Sequence, residues 1–251
     1  MIHLSVNVNK VATLRNSRGG RTPSVVEAVG VCVSAGVPGI TVHPRGDRRH
    51  ITLDDVREIA CTLAGLEPRV EYNIEGDPRP ELLDLVEEVR PDQCTLVPVV
   101  PGEITSQAGW QPGPDTRRMP EIVARLRGAG VRVSLFVDAS PDPIRWAASV
   151  GADRVELYTE PYARAFERGG EAARRSFASY IGAAELAHSL GLAVNAGHDL
   201  DLDNLVIFRE LPFLEEVSIG HALMSRALFL GLPTVVREYL AALAAVGGSR
   251  A

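Results

Sequence analysis

The stretch SAGVPGITV at residues 34–42 decides the fold, because a helical run ends at a glycine and a β-branched run begins a few residues later. The same order returns as GAGVRVSLF at 128–136, SVGADRVEL at 149–157 and SLGLAVNA at 189–196. Glycine at this place suits the left-handed residue that ends many helices. The repetition of helix, glycine and strand predicts βα units with parallel strands.

Strand-like runs alternate with helical stretches eight times along the chain. Thr52 before LDDVREIACTL can cap a helix, and Pro80 can occupy the first turn of another. Eight such units in 251 residues predict an α/β fold, a (β/α)8 TIM barrel with extra helices in a single domain over 1–251. The predicted strands cover 2–8, 39–43, 69–74, 93–97, 131–137, 153–158, 191–195 and 215–219.

Composition and charge exclude several classes of protein. A formal net charge of -6 gives no general attraction to a phosphate backbone, so we expect no nucleic-acid partner. No run approaches about 18 consecutive apolar residues, and the N-terminus lacks a long apolar segment, which favours a cytoplasmic protein without a membrane partner. Three cysteines in apolar surroundings indicate neither a disulfide framework nor a metal site.

Two segments depart from the short connections of the pattern. The irregular stretch 98–114 follows the fourth strand, and a loop of that length in a compact domain is usually functional, so we interpret it as a cover for the site. The charged stretch 161–175 after the sixth strand predicts an extra turn of helix.

Polar side chains gather where the predicted strands end, which is where the active sites of such barrels lie. These positions are Asn7, Asn9 and Lys10 in the first unit, His43 and Arg45 in the second, Glu71 and Asn73 in the third, Glu156 in the sixth, Asn195 and His198 in the seventh, and Gly220 and His221 in the eighth. The clustering favours a catalytic site at this end of the barrel.

The histidines and carboxylates of this set suit acid and base chemistry. His43, His198 and His221 stand at strand ends, whereas His3 and His188 fit structural positions and His50 fits either reading. Glu71 and Glu156 lie in apolar strands, so we expect both to point into the barrel mouth with a raised pKa. The alternative for each is a structural ion pair with an arginine or lysine of the barrel.

Two places suit phosphate groups. Gly220 precedes the final helical region, where backbone amides can approach an anion, and Arg18, Arg45 and His50 form a second group. Two anion sites predict a pair of phosphorylated small-molecule substrates.

Four segments carry a family resemblance: VNVNKVATLRNSRGG at 6–20, GITVHPRGDRRHI at 39–51, VNAGHDL at 194–200 and IGHALMSRA at 219–227. In this order they resemble the signature segments of the pyridoxine 5'-phosphate synthase family. The resemblance implies condensation of 1-deoxy-D-xylulose 5-phosphate with 3-amino-2-oxopropyl phosphate to pyridoxine 5'-phosphate, phosphate and water, without a metal or organic cofactor. It also implies a homo-oligomer, an octamer built from dimers.

The resemblance also implies a role for each matching residue. His43 and Glu71 match the proton acceptors, His198 the proton donor and Glu156 the group that stabilises the transition state. Contacts to the amino-oxopropyl phosphate match Asn7, Arg18, Gly220 and His221, and contacts to the deoxyxylulose phosphate match Arg45, His50 and Thr105.

Two departures from the family pattern leave other readings open. Asn9 and Lys10 stand where many members have Asp-His, and Asp199 stands where Gly is common; we expect all three to contact substrate by hydrogen bonds of their own. Lys10 keeps open a Schiff-base aldolase or isomerase, and a non-catalytic barrel that binds a phosphorylated metabolite is a further alternative. A metal-dependent hydrolase is disfavoured, because the first strand ends in Asn-Val-Asn rather than paired histidines.

The C-terminal helix offers a prediction about assembly. TVVREYLAALAAV at 234–246 follows ALFLGLP at 227–233, and apolar residues surround most of the helix. We expect part of this surface to be buried between subunits, unless its alanines are simply tolerated in solvent.

Overall fold

A closed parallel barrel forms the centre of the protein, whose computed structural model describes residues 1–99 and 107–244. Each strand pairs in parallel with its neighbours in chain order, and β8 closes the barrel on β1. The (β/α)8 prediction is therefore confirmed. The strands are β1 (His3–Asn7), β2 (Gly39–Val42), β3 (Glu71–Gly76), β4 (Gln93–Leu96), β5 (Arg132–Val137), β6 (Arg154–Tyr158), β7 (Ala193–Gly197) and β8 (Leu214–Ile219).

Helices surround the barrel, and several connections carry more than one, as predicted. They are α1 (Asn9–Asn16), α2 (Val25–Ser34), α3 (Leu53–Leu63), α4 (Pro80–Val89), α5 (Met119–Gly128), α6 (Pro141–Ser149), α7 (Glu160–Glu167), α8 (Gly170–Ser189), α9 (Leu205–Phe208), α10 (His221–Leu230) and α11 (Leu232–Ala244). The extra helix expected within 161–175 is present as α7, which packs on α8.

Helix boundaries follow the signals in the sequence. The Thr52 side chain accepts a hydrogen bond from the backbone N–H of Asp55, and Asp55 reciprocates to the backbone N–H of Thr52. Pro80 begins α4. The glycines of the repeated pattern adopt the left-handed conformation that was predicted, with φ between 79° and 95° at Gly36, Gly130, Gly151 and Gly191.

The apolar core lies between the barrel and its helices, whereas the lumen is polar. Val42, Ile74 and Leu135 are fully buried on the outer face of the strands. In the lumen, Ser5 and Thr41 lie 2.6 Å apart, and Asn73 hydrogen-bonds both Thr41 at 3.3 Å and Thr95 at 3.0 Å. Such barrels usually fill this space with bulky aliphatic side chains. In this lumen hydrogen-bonded polar side chains take the place of aliphatic ones, so ionisable groups can lie inside the barrel.

Strand β3 lies two residues later than predicted, at Glu71–Gly76 instead of 69–74. Its pairing with β4 runs from Asn73–Gln93 to Gly76–Leu96, which carries the strand beyond Ile74. Glu71 therefore begins the strand at the amino end of the barrel, and the expectation that it points into the mouth is wrong.

The expected apolar excess on α11 is also wrong for the part that the structure describes. Its large apolar side chains are buried within the chain, and the face left to solvent includes Ala241 and Ala244. The alternative that alanine is tolerated there accounts for the pattern, and residues 245–246 lie outside the described range. A different apolar surface is exposed at the end of α10, where Leu228 is 73% and Phe229 86% exposed.

Candidate active site

A cavity of about 480 Å³ opens at the carboxyl ends of the strands. It brings together eleven of the residues singled out from the sequence: Asn7, Asn9, Lys10, His43, Arg45, His50, Glu156, His198, Asp199, Gly220 and His221. Glu75 and Ser218 line the same cavity. Because the set comes from six strand ends and their loops, only the closed barrel places these groups together.

Glu75 and His43 form the centre of the cavity. His43 Nδ1 lies 3.8 Å from Glu75 Oε2, and Asn7 Nδ2 donates a hydrogen bond to the same oxygen at 3.4 Å. Both side chains are buried, and the other imidazole nitrogen, His43 Nε2, has no hydrogen-bond partner among the described residues. An imidazole with a carboxyl near one nitrogen and the other nitrogen unpaired can exchange a proton with a bound molecule.

Asn9 fixes the backbone around this pair. Its Oδ1 accepts a hydrogen bond from the backbone N–H of His43 at 2.9 Å, and its own N–H donates to Asn7 Oδ1 at 3.0 Å. The His50 ring lies edge-on to His43 with centroids 6.0 Å apart, and its Nδ1 accepts from the N–H of Ile51. The amide at position 9 thus ties the first strand to the second.

Glu156 stands on the opposite wall, fully enclosed by protein. It is 2% exposed, and its Oε2 has no hydrogen-bond partner in the described part of the chain. Gly197 makes room for this carboxyl, since a Cβ there would lie 2.2 Å from Glu156 Oε1. An unpaired buried oxygen is costly, so the position suits a group that interacts with a ligand.

His198 is packed against an aromatic wall. Its ring lies 4.6 Å from Phe136 and 5.5 Å from Tyr158, measured between centroids. The residue has a φ of 82°, and its backbone carbonyl accepts a hydrogen bond from the Thr159 hydroxyl. Asp199 follows with a φ of 58°, a position at which glycine is unstrained. The turn directs the imidazole into the cavity.

Burial shifts the pKa of the two histidines and two carboxyls buried in the cavity, His43, His198, Glu75 and Glu156, toward the neutral form. Desolvation lowers the pKa of His198 to about 4 and holds that of His43 well below its usual range, where the positive charges of His50 and Arg45 add to the effect. Desolvation raises the pKa of Glu75 to about 8 and that of Glu156 well above its usual range, with nearby carboxylates contributing. Near pH 7 the site therefore contains neutral imidazoles beside protonated or readily protonated carboxyls.

Cationic side chains and the N-terminus of one helix lie at the rim of the cavity. Arg45 is 6% exposed yet lines the cavity, and Lys10 and Arg49 lie on the same side. Helix α10 begins at His221, and no described side chain caps it, which leaves backbone N–H groups for an anion. Gly220 is required by packing, because a Cβ there would lie 3.0 Å from that of Asn7.

Two of the residues to which the resemblance assigns a role, Glu71 and Arg18, are not part of this arrangement. Glu71 pairs with Arg132 at the amino end of the barrel, which matches the ion pair that was the alternative for it. Arg18 is exposed just after α1 and does not line the cavity. Thr105 lies outside the described residues, as does 100–106 of the expected cover.

Sequence reasoning missed Glu75, the carboxyl that the mouth contains in place of Glu71. The side chains at 71, 73 and 75 point to the same face of β3, so alternation alone selects the lumen but not the depth. A larger cavity of about 610 Å³ at the amino end is lined by Glu71, Arg154 and Glu215, but Arg132 pairs with Glu71 and Arg154 with Glu215. Catalytic groups of such barrels stand at the carboxyl end, which favours the smaller cavity.

Two general properties bear on the ligands of the protein. No helix in the described ranges combines the length and apolar character of a membrane-spanning helix. Within the same ranges, no group of three or more His, Cys, Asp or Glu side chains is placed to hold a metal ion.

Known proteins resemble this chain over nearly its whole length. Residues 4–245 match the family described as pyridoxal phosphate biosynthesis protein PdxJ. The pyridoxine 5'-phosphate synthase of Bacteroides thetaiotaomicron is 51% identical, covering 95% of this chain and 98% of the relative, and that of Leptospira biflexa is 49% identical, covering 96% of each. The phosphoribosyl anthranilate isomerase of Thermotoga maritima aligns with a TM-score of 0.62 at 12% identity, covering 98% of this chain and 100% of its own, which is a likeness of fold alone.

Proposed function

Because this chain belongs to the PdxJ family of pyridoxal phosphate biosynthesis proteins, we propose that it is a pyridoxine 5'-phosphate synthase acting on 1-deoxy-D-xylulose 5-phosphate and 3-amino-2-oxopropyl phosphate. The observation that carries the proposal is one cavity in which two buried carboxyls, Glu75 and Glu156, face two uncharged imidazoles, His43 and His198. Forming a pyridine ring from these substrates requires several proton transfers, and this set supplies several acids and bases.

The two phosphate groups bind at opposite sides of the cavity in this proposal. Arg45 and His50 bind the deoxyxylulose phosphate, with Lys10 beside them, because a buried guanidinium can donate two parallel hydrogen bonds to a phosphate. The amino-oxopropyl phosphate lies at Gly220 and His221, where the N-terminus of α10 offers backbone N–H groups, and Asn7 contacts its chain. The reacting amine and ketone then meet above Glu75.

Glu75 takes the role that the family resemblance assigned to Glu71. Imine formation between the amine and the ketone removes a proton from nitrogen and protonates the departing hydroxyl. A carboxyl with a pKa of about 8 can serve in both directions near neutral pH, because both of its protonation states are populated. His43, 3.8 Å away, relays protons between Glu75 and the carbon skeleton of the sugar.

His198 and Glu156 act at the later steps. A neutral His198 accepts a proton as the carbon–carbon bond closes and returns it to the hydroxyl that leaves as water. Glu156, whose Oε2 is otherwise unpaired, hydrogen-bonds the positive nitrogen that develops in the ring, and the enclosed site strengthens that interaction. None of these steps uses a metal or an organic cofactor.

We also propose that the protein is a cytoplasmic homo-oligomer. Its three cysteines, Cys32, Cys61 and Cys94, are free thiols, which suits a reducing compartment. The exposed Leu228 and Phe229 at the end of α10 support burial against a second copy, with the octamer of the family as the expected assembly.

The experiment is to incubate the purified chain with both substrates and detect the product by mass and absorbance. Pyridoxine 5'-phosphate and one phosphate per turnover are expected, with no product when either substrate is omitted. Borohydride added with substrate distinguishes the Schiff-base alternative, since it labels Lys10 in an aldolase of that type and leaves Lys10 unmodified here. Substrate binding without product would instead indicate the non-catalytic barrel.

A further inference from the structure

A third buried carboxyl, Glu216, lies beneath the active site and has no part in the steps above. It belongs to β8, two residues before Ser218, which lines the mouth cavity, and it is 2% exposed. Neither the mouth cavity nor the cavity at the amino end includes it among its lining residues. Glu216 therefore occupies the layer of the lumen between the two cavities.

The side chain of Glu216 is held by an amide rather than by a cation. Asn195 Nδ2 donates to Glu216 Oε1 at 3.1 Å, while Asn195 Oδ1 accepts from Arg154 Nη1 at 2.8 Å. Arg154 uses its other Nη for Glu215, at 2.9 Å. Among the described residues, Glu216 has no ion pair within 4 Å. Asn195 thus links Glu216 to Arg154 by hydrogen bonds.

The charges around Glu216 are known from every strand that faces it. On the amino-end side Arg132 pairs with Glu71 and Arg154 with Glu215; besides burial, the carboxylates of these pairs raise the pKa of Glu216 and the arginines lower it. His3 is the register partner of Glu216 on β1. On the mouth side stand the two carboxyls Glu75 and Glu156, beyond which lie His43 and His198. Glu156, Asn195 and Glu216 are successive register partners across β6, β7 and β8.

Three carboxyls enclosed in this way cannot all ionise, because like charges at short range disfavour one another and burial disfavours each. We propose that Glu216 is a positioning residue for the reaction: its carboxyl, held by Asn195 beneath Glu75 and Glu156, sets how many protons the three-carboxyl group holds while the ring is built. Glu216 itself does not touch the substrates.

The electrostatics of the three groups agree with this geometry. Burial raises the pKa of Glu216 to about 7, and its negative charge raises the pKa of Glu75 and of Glu156 further above what burial alone produces. Removing the charge at position 216 therefore lowers the pKa of both mouth carboxyls. The sign of the effect is the same whether the reaction needs them protonated or ionised.

The test is the pH profile of kcat/KM for Glu216→Gln, a substitution that keeps the shape and the acceptor for Asn195. The limb assigned to the mouth carboxyls should move to lower pH by about one unit, while KM changes little. Glu210→Gln is the matched control, because Glu210 is exposed and the substitution removes the same charge from the surface. The pH profile of this variant should coincide with that of the wild type. A purely structural role would change the melting temperature of Glu216→Gln and leave the limb in place, which would overturn the proposal.

The kinetic test rests on the proposed function, because it needs the enzymatic activity. A second measurement does not need that activity. In wild-type protein labelled with ¹³C at glutamate Cδ, NMR titration should find buried carboxyls that titrate between about pH 6 and 9 in more than one step, since interacting groups share their protons. Glu216→Gln should remove one of these signals and shift two others to lower pH. If every glutamate titrates near its ordinary range, the proposal is wrong even where product is formed; if the carboxyls titrate as expected and no product forms, the proposed function alone fails.

Discussion

Gly197→Ala should disable the enzyme through Glu156 without breaking the fold. The backbone of Gly197 does not have a positive φ, so alanine causes no strain there, but its Cβ would lie 2.2 Å from Glu156 Oε1 and 3.2 Å from Cδ. This is more than about 1 Å inside a normal contact. Glu156 is 2% exposed, and the carbonyl of Ser218 lies 3.5 Å from the new Cβ on another side, so the carboxyl can withdraw only into the active-site cavity, away from its present position.

The expected magnitudes follow from that displacement. Forcing a buried side chain off its rotamer and overpacking its surroundings together cost about 1–3 kcal/mol of unfolding free energy. Misplacing a group of the active site by about 1 Å lowers kcat about 100-fold. The assay is kcat and KM with both substrates, together with urea unfolding, on Gly197→Ala and on the control Gly182→Ala. Gly182 lies exposed in α8 with nothing within 4 Å of its Cβ, so that variant should gain about 0.5–1 kcal/mol and keep its activity.

The double variant Gly197→Ala with Glu156→Asp separates the clash from other effects. A shorter carboxyl withdraws from the new methyl group, so the double variant should recover much of the lost stability. Full turnover of Gly197→Ala, or stability that does not return with Glu156→Asp, would contradict a clash with Glu156.

Three further predictions concern the rim, the imidazole and the exposed patch. Arg45→Lys should raise KM for the deoxyxylulose phosphate about tenfold, because the two-point contact with the phosphate is lost. Arg48→Lys is the control and should leave KM unchanged, since the side chain of Arg48 is 74% exposed. Equal KM values for the two variants count against a phosphate at Arg45. The pKa of His198 is about 4 in the folded chain and about 6.5 in the unfolded chain, so the unfolded chain takes up the proton first as the pH falls. The free energy of unfolding should therefore fall by about 1.5 kcal/mol from pH 6.5 to 5, and urea unfolding of His198→Asn should show that much less loss. Phe229→Asp should lower the mass measured by light scattering at micromolar concentration. Val206→Asp is the control, since Val206 is also exposed but lies elsewhere, and it should leave the mass unchanged. A wild-type mass of one chain would contradict the proposed homo-oligomer.

The fold could be predicted because its signals are local. The glycine at each helix end, the β-branched runs and the Thr52 cap each act within a few residues, and their repetition specifies the barrel. The depth of a side chain along a strand is not local. Whether Glu71 or Glu75 stands in the mouth depends on where β3 pairs with β4, which neighbouring residues in the sequence do not encode.

The same limit explains the other differences. Glu216 carries no sequence signal beyond a glutamate in an apolar strand, and its meaning comes from Asn195 and Glu156 on adjoining strands. The apolar character of 234–246 does not indicate which face α11 presents to the barrel, and the face with the large side chains is buried. The sequence does predict that residues near strand ends lie together, because the topology of the barrel brings these ends together whatever the exact depth of each side chain.

The role of Glu75 is tested most directly by comparing Glu75→Gln with Glu71→Gln in the formation of pyridoxine 5'-phosphate from both substrates. Glu75 lies 3.8 Å from His43 in the mouth, and Glu71 is paired with Arg132 at the other end of the barrel. We predict that Glu75→Gln lowers kcat by about two to four orders of magnitude, the share of a positioned proton-transfer group, while Glu71→Gln stays close to the wild type. A large loss in Glu71→Gln with near wild-type turnover in Glu75→Gln would contradict it.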